Sequence, residues 1–254
     1  VYGLSGQLEQ LTTETRNTSN VLQSRTRVDY RYDASGIRFI AVDWNDTNLS
    51  TTAIDGATTG RTEYLIDHAN FTGYAQTIIE TKFNSAGVRT NRTSYTFGTD
   101  EITQTATNLN ADGSINGTPT THTFSHDGHG SVIALFNASA AFAQVYMYSA
   151  YGELLTIRNA TAGLVSGSAS ALASPASALT NILYNGEGLD TRTGLYNFRA
   201  RWYAAGNAQF DRLDPFAGNH NDPFSFNKYG FVHGDPVQGT DPSGLSWSVA
   251  GVMA

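Results

Sequence analysis

Alternation of apolar and polar side chains recurs in short runs along the first two thirds of the chain. The run from 26 to 32, TRVDYRY, places Val28, Tyr30 and Tyr32 at every second position. Further runs between residues 63 and 104 alternate in the same way. Because successive side chains of a strand point to opposite faces, a period of two predicts half-buried β-strands rather than helices.

Five turns near these predicted strands share one sequence pattern. Each begins with an aromatic residue or His and continues through a turn that ends in Gly, and then an apolar residue restarts a strand. The segments are YGLSGQL from Tyr2, YDASGIR from Tyr32, FNSAGVR from Phe83, HDGHGSV from His126 and YSAYGEL from Tyr148. Asp, Asn and Gly suit tight turns because they tolerate a positive φ. The pattern predicts β-hairpin repeats that stack on their neighbours, since one repeat cannot bury a core alone.

A shift in composition divides the chain into two predicted regions. From 159 to 178 the sequence is rich in Ala, Ser and Gly and contains Pro175, which is typical of a flexible linker or loop. We expect hairpin repeats over 1–180 and a compact unit at 181–245, with little helix beyond a short turn near Pro175. Val1 opens a segment that looks like the middle of a repeat, so we expect the sequence to be a piece of a longer polypeptide.

The composition supports a folded protein and narrows its partners. Charged residues make up 15% of the 254 residues and hydrophobic residues 40%, which favours strands and turns around a core over disorder. The net charge of −7 and the lack of a Lys/Arg cluster argue against nucleic acid as a partner. There is no cysteine for a disulfide framework, and no apolar run predicts a membrane span. No Gly-rich phosphate loop or HExxH helix appears, so no cofactor is expected.

Three polar residues in the last quarter could form a catalytic group. Arg201 precedes Asp214 by 13 positions, and Asp241 follows Asp214 by 27. Two carboxylates held close together share one proton, because they cannot both ionise cheaply, and can act as an acid–base pair. On the residues alone, turns are the simpler explanation, since Asp-Pro-Ser-Gly suits a turn whose Asp side chain caps its own backbone. Asp222 and Asp235 are expected to be turn residues of that kind.

The segment around these residues resembles the RHS repeat-associated core domain, which is found at the end of RHS and YD-repeat proteins. The family pattern LYYLRARYYDPxxGRF is similar to LYNFRARWY from Leu195, and NxYxYxxNxPxxxxDPxGL is similar to the stretch from Asn227 to Leu245. The resemblance implies an all-β fold in which YD-repeat β-hairpins form part of a spiralling β-sheet shell. A compact RHS core plug at 181–245 would close it, and 246–254 would begin a variable C-terminal segment.

The resemblance also implies a reaction. Asp214 and Asp241 would act as an aspartic-protease-like pair, and the chain would cut itself between Leu245 and Ser246. Arg201 would orient one of the two carboxylates with a bidentate contact. The cut would release a C-terminal effector, often a toxin, inside the shell. The expected partners are then the rest of the YD-repeat chain and the encapsulated C-terminal segment.

A second function, from another class, stays open. The chain could belong to a non-cleaving structural or adhesive filament or shell protein with carbohydrate or cell-surface contacts. Either function implies a secreted or cell-surface protein. Eight Asn-x-Ser/Thr triplets fit N-glycosylation of such a protein, although chance in a sequence rich in Thr, Ser and Asn explains them more simply. They begin at Asn17, Asn45, Asn48, Asn70, Asn91, Asn116, Asn137 and Asn159.

Two other groups of residues are candidates for binding. His122, His126 and His129 lie close together in sequence and would suit a metal ion, but a YD-type turn with His in the aromatic position is simpler, so no metal site is predicted. The aromatic residues of the last quarter are expected to form the core of the plug, with a carbohydrate-stacking surface as the alternative. They are Trp202, Tyr203, Phe210, Phe216, Phe224, Phe226, Tyr229 and Phe231.

Overall fold

The computed structural model describes residues 1–51, 56–161, 163–167 and 172–245, and the backbone of the strand Ser248–Val249. The prediction of an all-β protein is confirmed. Helical segments within the described residues are 3₁₀ turns of three or four residues, and none is long and apolar enough to cross a membrane. They lie at Pro175–Ser177, Tyr184–Gly186, Ala205–Asn207, Pro223–Phe226 and Val232–Gly234.

Twelve strands form one antiparallel sheet in which each strand neighbours the next one in the sequence. This order follows when successive strands are joined as hairpins, as the turn pattern predicts. The strands are β1 (Gln10–Arg16), β2 (Leu22–Tyr32), β3 (Arg38–Asn45), β4 (Ala57–Asp67), β5 (Gln76–Asn84), β6 (Arg89–Phe97), β7 (Glu101–Leu109), β8 (Ile115–His126), β9 (Val132–Phe136), β10 (Phe142–Tyr148), β11 (Leu154–Asn159) and β12 (Leu164–Ser166).

Many of the hairpin turns share one geometry, built by an Asp or Asn at the first turn position. After β2, Oδ1 of Asp33 accepts hydrogen bonds from the backbone N–H groups of Ser35 at 2.8 Å and Ile37 at 3.0 Å. Gly36 closes this turn at φ +80°, a conformation that suits glycine. The side chain thus satisfies turn donors that the strand ladder leaves free. The same pair of bonds recurs at Asn17, Asn84, Asp127, Asn137 and Asn159.

The chain divides into two compact units, Val1–Tyr95 with Thr105–Thr120, and Thr96–Gln104 with Thr121–Ala254. In the first unit, arginine side chains cover aromatic rings: the guanidinium of Arg38 lies 4.2 Å from the ring centre of Tyr64. The predicted region boundary near 180 falls inside the second unit and stays a prediction. Residues 162 and 168–171 of the predicted linker lie outside the described residues.

A second, four-stranded antiparallel sheet in the second unit carries Arg201 of the predicted site. Its strands, in order across the sheet, are β13 (Gly188–Asp190), β14 (Leu195–Phe198), β15 (Arg201–Ala204) and β16 (Gln209–Phe210), while β17 (Gly239–Thr240) and β18 (Ser248–Val249) pair separately. Its core is aromatic, with the rings of Tyr203 and Phe231 only 4.4 Å apart between centres. Phe198 and Phe210 pack edge to face beside them.

The aromatic core contains only half of the residues that we expected in it. The buried half lies on or beside β15 and β16, where side-chain direction is set by the pleat of the sheet. The exposed half lies in the irregular segment between 213 and 230, which has no such pleat, so the prediction is wrong there. Trp202, Tyr203, Phe210 and Phe231 are buried, whereas Phe216, Phe224, Phe226 and Tyr229 are between 41% and 66% exposed.

Candidate active site

Arg201 is a buried cation at the first position of β15. It pairs with Phe198 across a two-residue turn, so its side chain lies on the same face of the sheet as the aromatic core. The side chain is 2% exposed, and its guanidinium lies 3.7 Å from the ring centre of Phe210. Burial lowers the pKa of Arg201, while the charges of Asp214 and Asp241 raise it. A charge this far from water needs such partners.

The two predicted acids meet at one nitrogen of this guanidinium. Nη2 of Arg201 lies 2.9 Å from Oδ2 of Asp214 and 3.4 Å from Oδ2 of Asp241. The fold therefore brings together three residues that are far apart in the sequence. The bidentate contact that we expected is wrong, because the other guanidinium nitrogens of Arg201 bind the carbonyl oxygens of Gly244 and Lys228.

The second oxygen of each carboxylate caps a local turn. Oδ1 of Asp214 accepts the N–H of Phe216 at 2.8 Å. Oδ1 of Asp241 accepts the N–H of Leu245 and the hydroxyl of Ser243, both at 3.1 Å. Each acid thus makes a turn contact with one oxygen and faces Arg201 with the other, which fixes the orientation of both carboxylates.

Two carboxylates face one guanidinium, so the group has an excess negative charge when both acids are ionised. The side chain of Asp214 is 18% exposed and that of Asp241 is 3% exposed. Water therefore reaches Asp214 more readily, whereas Asp241 is enclosed.

The segment 199–201, which reads R-A-R, holds the turn 241–245, which reads D-P-S-G-L. Three successive donors bind three successive carbonyl oxygens of that turn. They are a guanidinium nitrogen of Arg199 to Pro242, the N–H of Ala200 to Ser243 at 3.3 Å, and Nε of Arg201 to Gly244. Gly244 has φ +69°, and a side chain there would collide with the carbonyl oxygen of Phe198, so glycine is required.

Glu187 is a buried carboxylate beside this contact that the sequence analysis did not find. Its Oε1 lies 2.6 Å from Nη1 of Arg199. Burial raises the pKa of Glu187 to about 7, although the charge of Arg199 lowers it. The negative charges of Glu101 and Asp241 raise the pKa further. The R-A-R pattern marks Arg199 in the sequence, but nothing in the sequence marks its partner.

Two curated tRNA nucleases are similar to about half of the chain. The chain is 31% identical over 121 residues to the tRNA3(Ser)-specific nuclease WapA of Bacillus spizizenii, and 28% identical over 121 residues to the tRNA nuclease WapA of Bacillus subtilis. Each match covers 48% of this chain and 5% of the relative. No family model matches the chain.

Solved Tc toxin structures share the fold of nearly the whole chain. The crystal structure of TcdB2-TccC3 has a TM-score of 0.64 at 20% identity, over 96% of this chain and 10% of that one. The Photorhabdus luminescens Tc holotoxin pore has a TM-score of 0.58 at 20% identity, over 98% of this chain and 11% of that one. These similarities support the predicted resemblance to RHS and YD-repeat proteins.

The predicted cleavage site lies at the limit of the described residues. Leu245 is 40% exposed, and its N–H is bound to Asp241 at 3.1 Å. Ser246 lies outside the described residues, as does most of the predicted variable segment 246–254. The structure therefore describes the site as far as Leu245, the residue on the carbonyl side of the predicted cut.

The three histidines occupy separate positions in the second unit of the chain. His122 is buried, and burial lowers its pKa. His126 stacks on Phe124, with ring centres 5.9 Å apart, and His129 contacts the backbone carbonyl of Val237. Across the described ranges, no group of three or more His, Cys, Asp or Glu side chains could hold a metal ion.

Asp222 and Asp235 lie in turns, as the sequence predicts. Asp222 accepts the N–H of Phe224 at 3.2 Å, and its carboxylate lies 3.4 Å from Nδ1 of His233. Asp235 accepts the N–H of Gln238 at 3.1 Å. The backbone contacts of both residues are local and span two or three positions.

Most of the Asn-x-Ser/Thr triplets coincide with the turn geometry described above. In five of them, Oδ1 of the Asn accepts the N–H of the Ser or Thr two positions on, so the triplet is a turn motif whether or not it carries a sugar. These five begin at Asn17, Asn48, Asn70, Asn137 and Asn159. Asn45, Asn91 and Asn116 lie in strands, and all eight are exposed except the half-buried Asn70 and Asn91.

Proposed function

We propose that the chain forms the C-terminal end of a large RHS/YD-repeat encapsulating shell and cuts itself once, between Leu245 and Ser246, to release a C-terminal effector. One observation carries the proposal: Asp214 and Asp241 approach the same nitrogen of Arg201, at 2.9 and 3.4 Å. Two acids beside one buried cation, next to the segment to be cut, are the parts that an aspartic-protease-like mechanism needs.

In the proposed reaction, Asp214 is the general base and Asp241 is the general acid. Asp214 is the more exposed acid, so it takes a proton from a water molecule whose oxygen attacks the carbonyl carbon of Leu245. Asp241 holds the proton of the pair and gives it to the amide nitrogen of Ser246 as the C–N bond breaks. The products are a carboxyl group on Leu245 and an amine on Ser246, and the pair again holds one proton.

Arg201 and the tether of the substrate to its own site supply the rest of the proposed catalysis. The guanidinium keeps one oxygen of each acid in place and balances the charge that stays on the pair. Because the bond to be cut belongs to the same chain, a well-aligned site reaches an effective molarity of about 10⁵ M or more. A single turnover then needs only modest acid–base power.

Replacing either acid tests the proposed reaction. In the natural full-length protein, we expect wild type to separate into two polypeptides on a denaturing gel, and Asp214→Ala or Asp241→Ala to stay intact. Each substitution removes a proton-transfer group, so cleavage should slow by about 10²-fold or more. Asp235→Ala is the matched control, because Asp235 caps a turn in the same unit, and it should cleave like wild type. The proposal fails if wild type and the two active-site variants all migrate at full length.

A non-cleaving structural or adhesive role is the second candidate. The observation that favours it is that the same contacts stabilise the fold by themselves: Oδ1 of each acid caps a turn, and Arg201 binds two carbonyl oxygens. In that case Asp214→Ala and Asp241→Ala would lower stability without changing the number of polypeptides. Glycan mass on the Asn-x-Ser/Thr triplets would support this role.

The partners and location of the protein follow from the proposed function. We propose that the chain contacts the rest of its own YD-repeat polypeptide and an encapsulated C-terminal segment, and that the protein is secreted or at the cell surface. The chain spans about 5% of the curated relatives and 10% of the TcdB2-TccC3 chain that it matches. The nuclease activity in the names of the relatives belongs to those much longer proteins.

A further inference from the structure

Arg199 has a backbone conformation that arginine seldom adopts. It lies in the turn between β14 and β15 at φ +56°, a left-handed conformation that glycine and asparagine reach more easily. Its N–H is bound to Oδ1 of Asn197 at 3.0 Å. A residue held in a strained conformation points to a contact that the strain serves, and the side chain of Arg199 makes such a contact.

The guanidinium of Arg199 joins Glu187 to the turn 241–245. Its Nη1 lies 2.6 Å from Oε1 of Glu187 and also donates to the carbonyl oxygen of Pro242. The side chains of Glu187 and Arg199 are only 7% and 19% exposed. Because one nitrogen serves both acceptors, the position of Glu187 sets the position of the carbonyl next to Asp241.

We infer that Glu187 is a positioning residue for the candidate active site. It holds Arg199, which holds the carbonyl oxygen of Pro242 and so keeps the carboxylate of Asp241 beside Arg201. The consequence for cleavage rests on the proposed function, whereas the positioning of the turn does not. Arg201 then aligns the two acids, and Arg199 aligns the turn that carries one of them.

Stability alone gives a weak reason to bury a carboxylate in this place. Burying two charges removes them from water, and the penalty offsets much of their attraction. Arg199 attracts the charge of Glu187, whereas the negative charges of Glu101 and Asp241 repel it. An apolar side chain would avoid that penalty but could not hold Arg199 against Pro242.

A second buried ion pair of the same sheet provides a matched control. The carboxylate of Asp190 is fully buried and lies 2.6 Å from Nη2 of Arg192. Asp190 also accepts a bond from Nε of the same arginine at 2.7 Å, so this pair spans two positions within one turn. Glu187→Gln and Asp190→Asn make the same chemical change, loss of a buried charge with little change of shape.

Cleavage of the natural full-length protein is the first measurement. We expect Glu187→Gln to slow the cut between Leu245 and Ser246 by about tenfold or more, because a small displacement of a reacting group has a large effect on rate. Asp190→Asn should cleave at the wild-type rate. Equal slowing by both variants would show a general effect of lost charge and would contradict the inference.

Hydrogen exchange at the amide of Leu245 measures the position of the turn without relying on cleavage. The measurement uses an Asp214→Asn background, in which we expect every chain to stay intact. It reports whether the turn stays closed, since Oδ1 of Asp241 and Oγ of Ser243 both accept this N–H at 3.1 Å. We expect Glu187→Gln to speed this exchange by about tenfold and Asp190→Asn to leave it unchanged. Arg199→Lys should have the same effect as Glu187→Gln, since one ammonium group does not replace the planar fork of the arginine guanidinium. If Glu187→Gln does not fold, Arg199→Lys is used in its place.

The two measurements separate this inference from the proposed function. Unchanged exchange at Leu245 in both Glu187→Gln and Arg199→Lys would overturn the positioning role. If wild type never cleaves but Glu187→Gln still speeds the exchange, the proposed function fails and the positioning role stands. Faster exchange together with slower cleavage would support both.

Discussion

Arg201 is the residue at which the contacts of the candidate site meet. Its guanidinium faces two carboxylates and two backbone carbonyl oxygens while lying against the ring of Phe210. Lysine carries the same charge, but as a single ammonium group it cannot reach so many acceptors at once. The shape of the side chain therefore matters here as well as its charge.

Substitution of Arg201 should destabilise the fold whether or not the chain cleaves itself. We expect Arg201→Ala to lower the free energy of unfolding by about 3–5 kcal/mol, because it leaves the carboxylates of Asp214 and Asp241 without their cation. Arg201→Lys should lower the free energy of unfolding by less. Urea unfolding measures both, with the exposed Arg92→Lys as a control that should change stability by less than about 0.5 kcal/mol. Equal stability of Arg201→Ala and wild type would contradict this account of the site.

Glu187 should make stability depend on pH in one direction. Burial raises its pKa from 4.5 to about 7, with Glu101 and Asp241 adding to the rise and Arg199 opposing it. Between these two pH values the folded protein keeps a proton that the unfolded chain releases, so the free energy of unfolding falls as the pH rises. Across this pH range the free energy of unfolding falls by about 3 kcal/mol. Urea unfolding at several pH values should show that Glu187→Gln lacks this part of the slope; identical slopes would rule the effect out.

At the scale of single residues, the sequence was sufficient for some of the site and insufficient for the rest. Arg201, Asp214 and Asp241 could be predicted because they sit at fixed places in a recognisable pattern. Glu187 could not, since its role depends on the left-handed turn at Arg199 and on the path of the chain before β13. The contact of Arg201 with both acids through one nitrogen is likewise set by packing rather than by spacing.

At the scale of elements, the turn that begins with Asp or Asn is the repeated unit of the first sheet. In the turn after β5, Oδ1 of Asn84 accepts the N–H groups of Ala86 and Val88, each at 3.0 Å. Gly87 closes that turn at φ +75°. One side chain thus replaces two backbone partners, which explains why the turn tolerates varied residues between its first position and its glycine.

Loss of one such cap should have a modest and local cost. We expect Asn84→Ala to lower the free energy of unfolding by about 1 kcal/mol, since two backbone donors lose a partner but stay near water. Asn116→Ala, at an exposed strand position of the same unit, is the control and should change stability by less than about 0.5 kcal/mol. Thermal unfolding of the two variants would measure this difference in stability. A larger loss of stability in Asn116→Ala than in Asn84→Ala would mean that the turn cap is not the relevant contact.

The alternation of apolar and polar side chains predicted the strands well, because the pleat of a strand produces that alternation. In β2, for example, Val28 and Tyr30 are buried, as the alternation predicts. The same reasoning failed for Phe216 and Phe224, which are exposed, because hydrophobicity alone does not fix side-chain direction in an irregular segment. The type of element was therefore more predictable than the burial of side chains that lie outside the strands.

At the scale of the whole molecule, the twelve strands of the larger sheet lie side by side in the order of the sequence. Nearly all of the chain superposes on one tenth of the TcdB2-TccC3 chain. The sequence predicts the repeated hairpin, but the course of a sheet over many repeats depends on contacts between neighbours. The shell of the longer protein was inferred from family resemblance for that reason.

The mass of the natural full-length protein tests the central claim most directly. Mass spectrometry under denaturing conditions should find two polypeptides, one that ends at Leu245 and one that begins at Ser246, and Asp214→Ala should restore a single chain. A wild-type protein that gives one mass spanning that bond would contradict the account.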